Sequence, residues 1–521
     1  MASLLTIITS ILLTTILPYY LLTTYFRTRR ASQAAQTYGC KPIPKVKSLD
    51  PILGLDTFIK IQKADAGGHR SEAYRELHQQ YGSTFLMNSL GTELQTSHAE
   101  NIQAICTSSF NDWGVGPMRG TIGLPFLGRG IFTGIKEVIV QVVNLCAISE
   151  DGEFWKHSRS LVRPTFSRAE IADLENFERH VSRFLTFIPK DGSTFDMLPL
   201  VKKLFLDTST EFLFGKSTEC FAEDTPIETD IFMKSFDRAL LGLALLLIFK
   251  PIRWPLYFDP WWKEAYTNVH AFVDKRVSSA LEKQRKPKKE MEPKRYVLLE
   301  EMTKITQDPY DLRMHIINVF FPARDTAAIA FADVIFELAR HPGEWKKLKM
   351  EVDSIDSSQA LTFEYLRSLR VTKAIINESL RLHPAASRLG KISLRDTILP
   401  KGGGEDGQFP IFVPKGTVVG LDLYTLQRDP AIWGADADEF KPGRWLDVNR
   451  PLWEAKWQYE PFLGGIRMCP AQNQVLIQLS YLLVRLAQQI EFIENRDEVF
   501  EYLERVTMTV ESKNGTKIAV R

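Results

Sequence analysis

Apolar residues recur at helical spacing along most of the chain. The stretches SEAYRELHQQYG (71–82), FERHVSRFLTF (177–187) and NVHAFVDKRVSSALEKQ (268–284) each predict an amphipathic helix, and the same spacing returns at 471–489. INVFFPARDTAAIAFADVIFELARHP (317–342) predicts one long, largely apolar helix. Residues 391–424 change character: KISLRDTILPKGGGEDGQFPIFVPKGTVVGLDLY predicts short strands and turns, punctuated by Gly402–Gly404 and by Pro414–Lys415–Gly416. No internal repeat interrupts the pattern, and no clean linker follows residue 60. The expected fold class is therefore mainly α with a small β-rich part, built as one large domain over 61–521.

The N-terminus is patterned differently. SLLTIITSILLTTILPYYLLTTYF (3–26) carries no charge and is long enough to span a bilayer as a helix. Pro18 and the threonines are tolerated in such a helix, and Tyr19, Tyr20 and Tyr25 suit an interface. Arg27, Arg29 and Arg30 follow at once, which holds the C-terminal side in the cytoplasm. A cleaved signal peptide would carry its basic cluster on the other side. Residues 1–30 are thus expected to be a single-pass anchor with a basic stop, and 31–60, with Pro42, Pro44 and Pro51, a stiff linker.

Charge and cysteine content narrow the function classes. The 521 residues hold 65 basic and 63 acidic side chains, a formal charge of +2, so nothing calls for nucleic acid. The run EKQRKPKKEMEPKRY (282–296) is expected to be a solvated loop rather than a docking patch. The five cysteines are widely spaced with no C-x-x-C pair, which argues against a disulfide framework or structural zinc and for a reducing compartment.

One of them, Cys469, sits in the glycine-rich turn PFLGGIRMCPAQN (461–473). Glycines let backbone N–H groups approach a sulfur closely, and the following helix N-terminus favours negative charge there. Phe462 is placed to shield the sulfur and Arg467 to pair with an anionic cofactor edge. The set Phe462, Gly465, Arg467, Cys469 resembles the heme-binding loop of the cytochrome P-450 family, in which the cysteine is the proximal iron ligand. Ala471 stands where that family normally has glycine.

The rest of the family pattern follows in order. NESLRLHP (377–384) holds Glu378 and Arg381 three apart on one helix face, and FKPGRW (440–445) supplies Arg444. The resemblance implies a buried Glu–Arg–Arg network that locks the core behind the heme, here with Gly443 in place of the usual glutamate. Asp325 and Thr326, within the long apolar helix, match the family's acid–alcohol pair, which serves bound dioxygen and proton delivery. The local alternative is Thr326 bonding back to the carbonyl of Pro322, a residue expected to kink the helix. In EFWKHSRSLVRPTF (153–166), Trp155 and Arg159 are four apart and resemble the family's W-x-x-x-R helix, where both donate to a heme propionate. Lys391 matches a position that is commonly arginine and serves a propionate too.

The resemblance runs from about residue 38 to the C-terminus and looks closest to the fungal branch that hydroxylates alkanes and fatty acids, in stretches such as YGCKPIP, LGRGIFT and ARDTAA. GIKEVIVQVVNLCAISE (134–150) interrupts that likeness, as an insertion or a retained intron. The resemblance implies heme b held by Cys469, and electrons from NADPH through a separate NADPH-cytochrome P-450 reductase, with cytochrome b5 as a further candidate donor. It also implies an endoplasmic-reticulum anchorage with a cytosolic catalytic domain, and a monooxygenase acting on an apolar or amphipathic substrate: a fatty acid, an alkane or a secondary-metabolite intermediate. Residues 111–132 and 240–249 are candidate pocket walls. Two rivals remain open at this point: a heme-thiolate rearrangement or dehydration without oxygen activation, and a membrane-anchored heme-binding protein without turnover.

Overall fold

The computed structural model describes residues 22, 29–128, 151–162, 166, 174–222, 226–249, 254–285, 296–447 and 456–521. The expected anchor (apart from residues 22, 29 and 30), the segment 134–150 and most of the charged run lie outside them. Among the described residues, no helix is long and apolar enough to cross a membrane.

Thirteen helices position the site: α1 (Leu55–Gly67), α2 (Arg70–Tyr81), α3 (Ala99–Cys106), α4 (Gly116–Leu127), α5 (Asp151–Val162), α6 (Glu175–Thr186), α7 (Met197–Phe214), α8 (Ile227–Ile248), α9 (Pro260–Arg285), α10 (Pro309–Arg340), α11 (Pro342–Asp353), α12 (Arg370–Leu382) and α13 (Gln472–Gln489). The axis of the molecule is α10. It starts where Asp308 accepts the N–H of Tyr310 and Pro309 fills the first helical position. From Leu312 to Arg340 nearly every residue is buried, as an all-round apolar helix requires. Its first half packs with α4, α8 and α9, where Phe232 stacks on Phe272 at 3.8 Å between ring centres. Its second half packs with α6, α7, α11, α12 and α13 through residues such as Phe184, Phe331, Ile335 and Leu483. The helix continues through Pro322 rather than ending there. Beside that point, the Asn318 amide donates to Leu127 O at 2.7 Å and ties α10 to the end of α4.

The β-rich part is small, as expected. Strands β1 (Thr84–Asn88), β2 (Thr92–Thr96), β3 (Trp113–Gly114), β4 (Arg388–Ser393), β5 (Thr397–Gly403), β6 (Phe409–Val413) and β7 (Val418–Asp422) include one five-stranded sheet ordered β1-β2-β7-β4-β3. β5 and β6 pair separately. A C-terminal hairpin, β8 (Glu504–Val506) and β9 (Val510–Ser512), leans back on α12's exit, where Val510 N–H donates to Ala385 O.

The segment expected as an extended linker is extended only in its middle. Residues 29–37 are helical and α1 occupies 55–67. Between them, Val46 N–H donates to Leu86 O and Leu86 N–H to Pro44 O, so the prolines border a stretch paired to β1. Proline lacks a donor, but its carbonyl still accepts, which makes such an edge pairing possible.

Candidate functional site

The loop before α13 bends sharply. Leu463 has φ 56° and Gly465 φ 73°, both in the left-handed region. At Gly465 a Cβ would lie 2.2 Å from the carbonyl oxygen of Cys106, so only glycine lets this turn close on the end of α3. The turn brings Cys469 N–H onto Phe462 O at 3.0 Å, fixing the Phe462–Cys469 spacing. Phe462 packs against the core formed with α13. Burial pushes the Cys469 thiol up, while the N–H groups of Ala471 and Gln472 and the charge of Arg159 pull the other way. Those two N–H groups belong to the first turn of α13, where donors are unused by the helix. Ala471 has φ −91° and ψ 5°, an ordinary conformation that needs no glycine.

Two cationic side chains meet at this loop, and a third, Lys391, lies near Cys106 on the neighbouring α3. Arg159, one turn beyond Trp155 on α5, donates to Met468 O at 3.1 Å. Arg467 lies over the Trp155 ring at 4.8 Å and the Phe110 ring at 5.6 Å. Lys391, on β4, is close enough to Cys106 to lower that thiol, which burial nonetheless drives up to about 11. Phe110 is a participant that no spacing in the sequence signals, since it precedes β3 in a short turn far from the motifs it touches.

Glu378, Arg381 and Arg444 meet in one buried cluster. Arg381 holds both oxygens of Glu378 at 2.9 Å, and Arg444 takes Glu378 Oε1 at 2.8 Å. Arg381 also donates to the carbonyls of Gln427, Ala437 and Glu439. Where the sequence has Gly443 instead of glutamate, other partners stand in: Asp436 meets Arg444 at 3.4 Å, and the Trp445 indole donates to Glu378 Oε2 at 2.8 Å. Each charge in the buried triad is thus neutralised and hydrogen-bonded.

The acid–alcohol pair is held by local partners. Thr326 Oγ1 donates to Pro322 O at 2.7 Å, the bond that helix geometry offers a threonine. Asp325 accepts from Arg324 Nε at 2.7 Å, and the same guanidinium pairs with Asp237 on α8. The role of Arg324 was not legible, because its second partner lies 87 residues away.

Of the candidate walls, 240–249 faces a cavity through Ala244, Leu247 and Ile248, whereas Ile122, Phe126 and Leu127 of α4 are plain core. The donor set fits a heme with thiolate-bound iron. Cys469 sits just before the N-terminus of α13, and two cations, Arg159 and Arg467, and the buried Trp155 indole gather at one edge of its loop.

Comparison with known proteins agrees. The family model described as Cytochrome P450 matches residues 51–516. The chain is 35% identical to Cytochrome P450 monooxygenase iliC of Neonectria sp. (strain DH2), covering 95% of this chain and 94% of the relative. It is 33% identical to Cytochrome P450 monooxygenase iccC of Talaromyces variabilis, over 95% of each. It is 34% identical to Cytochrome P450 monooxygenase fumoA of Cordyceps fumosorosea (strain ARSEF 2679), over 98% of this chain and 97% of that one.

Proposed function

The chain belongs to the cytochrome P450 family, and from that membership we propose a membrane-anchored monooxygenase of fungal secondary metabolism that hydroxylates an amphipathic substrate. The family's heme-thiolate iron, supplied with electrons from NADPH through a reductase, provides oxygen cleavage and insertion into a C–H bond. The protein provides placement. Cys469 is the thiolate ligand, and the observation that carries this is the turn that holds it before α13, where Cys469 N–H donates to Phe462 O at 3.0 Å and Gly465 closes against the carbonyl of Cys106. Trp155, Arg159, Arg467 and Lys391 hold the propionate edge, with Arg159 and Arg467 drawn together by the Trp155 ring.

Asp325 and Thr326 hold and pass the protons that the reaction consumes. Thr326 Oγ1 now donates to Pro322 O, and a rotation about one side-chain torsion would free that hydroxyl to move a proton toward the heme side of α10. Glu378, Arg381 and Arg444 keep the wall behind the heme rigid. Residues 3–26 tether the domain beside the membrane-bound reductase, with cytochrome b5 as a second electron donor. Cys469→Ala tests the assignment: the reduced, CO-bound protein should lose its heme-thiolate absorbance, and an unchanged spectrum sinks it.

A further inference from the structure

Asp333 lies seven residues beyond Thr326, two turns along the same face of α10. It is buried, with 2% of its surface exposed. Its Oδ1 accepts from the Tyr502 hydroxyl at 2.9 Å, and its Oδ2 has no hydrogen-bond partner among the described residues. The charges that face it share its sign: Glu337 on its own helix and Glu511 on β9. Burial and these two carboxylates push it well above the carboxylate range, and the Tyr502 bond only opposes them, so the group is neutral. A carboxyl kept in the core at this cost needs a reason, and its one bond points to the C-terminal hairpin.

Tyr502 stands two residues before β8 and is clamped on three sides. Its ring stacks on His383, at the exit of α12, at 4.0 Å and meets Phe336 of α10 nearly edge-on at 5.0 Å. Just upstream, Arg340 of α10 donates to Val499 O at 3.0 Å and to Phe500 O at 2.9 Å. Downstream, Glu504 N–H donates to Gly68 O at 2.8 Å and Val510 N–H to Ala385 O at 3.0 Å. The hairpin is thus hung from α10 at its base. Its turn projects away from that base and closes one side of a cavity of about 260 Å³ beside Arg388, between α1, the end of α8 and strands β2, β4 and β7. Thr507, Met508 and Thr509 supply that side, and Met508 also packs on the apolar cluster of α4, α8, α9 and the first half of α10. A short turn takes its position from the strands that carry it, so the fit of this wall is decided at the base.

We propose that Asp333 and Tyr502 are positioning residues for specificity: their hydrogen bond seats the β8–β9 turn, and that seat fixes how closely the cavity wraps an apolar group. This deepens the proposed function and rests on it for the identity of the cavity as the substrate's. Neither residue lines the cavity, and both act through the turn.

The test uses the full-length heme-loaded protein with imidazole and a series of 1-alkylimidazoles of increasing chain length. Binding is followed by the heme absorption shift. Imidazole reports the iron alone, and the alkyl tail reports the wall. Tyr502→Phe and Asp333→Leu should weaken binding of the long-tailed probes about five- to tenfold, the loss of a few methylene contacts, with imidazole affinity kept within about twofold. Asp333→Asn keeps the acceptor for Tyr502 and should behave as the parent. Independently of heme, hydrogen exchange at the Glu504 and Val510 amides should quicken at least about tenfold in Tyr502→Phe. Should the leucine variant not fold, Tyr502→Phe and Asp333→Asn decide. Unchanged tail affinity in Tyr502→Phe overturns the proposal, with or without quickened exchange. So does an equal loss for imidazole and its alkyl derivatives, which would place the damage at the heme rather than at the wall. A missing heme-thiolate CO spectrum in the parent would instead overturn the proposed function, and exchange would still report whether Tyr502 seats the hairpin.

Discussion

Two polar residues of α10, the half-buried Thr326 and the buried Asp333, make opposite use of the same helix. Thr326 spends its hydroxyl on Pro322 O, a contact of little structural worth, since a net hydrogen bond contributes about 1 kcal/mol and threonine is a poorer helix former than alanine. Thr326→Ala should therefore fold and bind heme normally. If Thr326 passes protons, product formation should fall about tenfold while NADPH consumption continues; an unchanged ratio of product to NADPH consumed removes that role. Asp333, two turns further on, is a different case. Burial pushes its pKa well above the carboxylate range, against the Tyr502 hydroxyl that donates to it at 2.9 Å. A carboxyl whose pKa is raised by folding contributes stability below its unfolded value, near 4, and that contribution is lost as pH rises toward the folded pKa. Asn cannot ionise and keeps the acceptor for Tyr502. Asp333→Asn should thus melt higher than the parent by a few degrees, with a gap that widens from pH 5 to pH 8. A gap independent of pH would mean that Asp333 does not fold in its neutral form.

Among the elements, the join between α12 and the turn carrying Arg444 shows which sequence signals survive folding. Glu378 and Arg381 are three apart on one helix, so their pairing was legible from local geometry. Asp436 and Trp445 were not, because they compensate for Gly443 through a turn whose path only tertiary packing fixes. The two kinds of contact differ in energy. Arg444→Ala leaves Glu378 with one fewer cation in a buried site and should cost about 3–5 kcal/mol, read as a lower melting temperature and weak heme retention. Trp445→Phe removes one indole donor from the same carboxylate and should cost only about 1–2 kcal/mol. Gly443→Glu should be nearly neutral, within about 0.5 kcal/mol, since that position is exposed and a Cβ there meets nothing within 4 Å. A large loss from Gly443→Glu would show that the Asp436 arrangement excludes a second carboxylate rather than replacing one.

At the scale of the whole molecule, legibility follows sequence distance. The helical periods, the 391–424 strand cluster and the Cys469 loop are written locally and appear where the spacing put them. The order β1-β2-β7-β4-β3 joins residues 84–96 to 388–422, and the cavity beside Arg388 draws on α1, α8 and strands β2, β7 and β4, so neither could be read from spacing. The N-terminus poses the converse problem: its pattern is plain, while among the described residues its first backbone hydrogen bond to the rest of the fold is Lys41 N–H to Pro410 O. If residues 3–26 are an anchor and nothing more, no contact in the core depends on them. Removing residues 1–28 keeps the 29–37 helix and the pairing of 44–46 with β1. The truncated protein should therefore move from the membrane pellet to the supernatant with its heme-thiolate spectrum and melting temperature unchanged. Turnover driven by a membrane-bound reductase should fall several-fold, because co-anchoring raises the effective concentration of the two proteins, and a soluble reductase should erase the difference. A truncated chain that still pellets with membranes would move the attachment to the folded domain and leave residues 3–26 without the role their pattern implies.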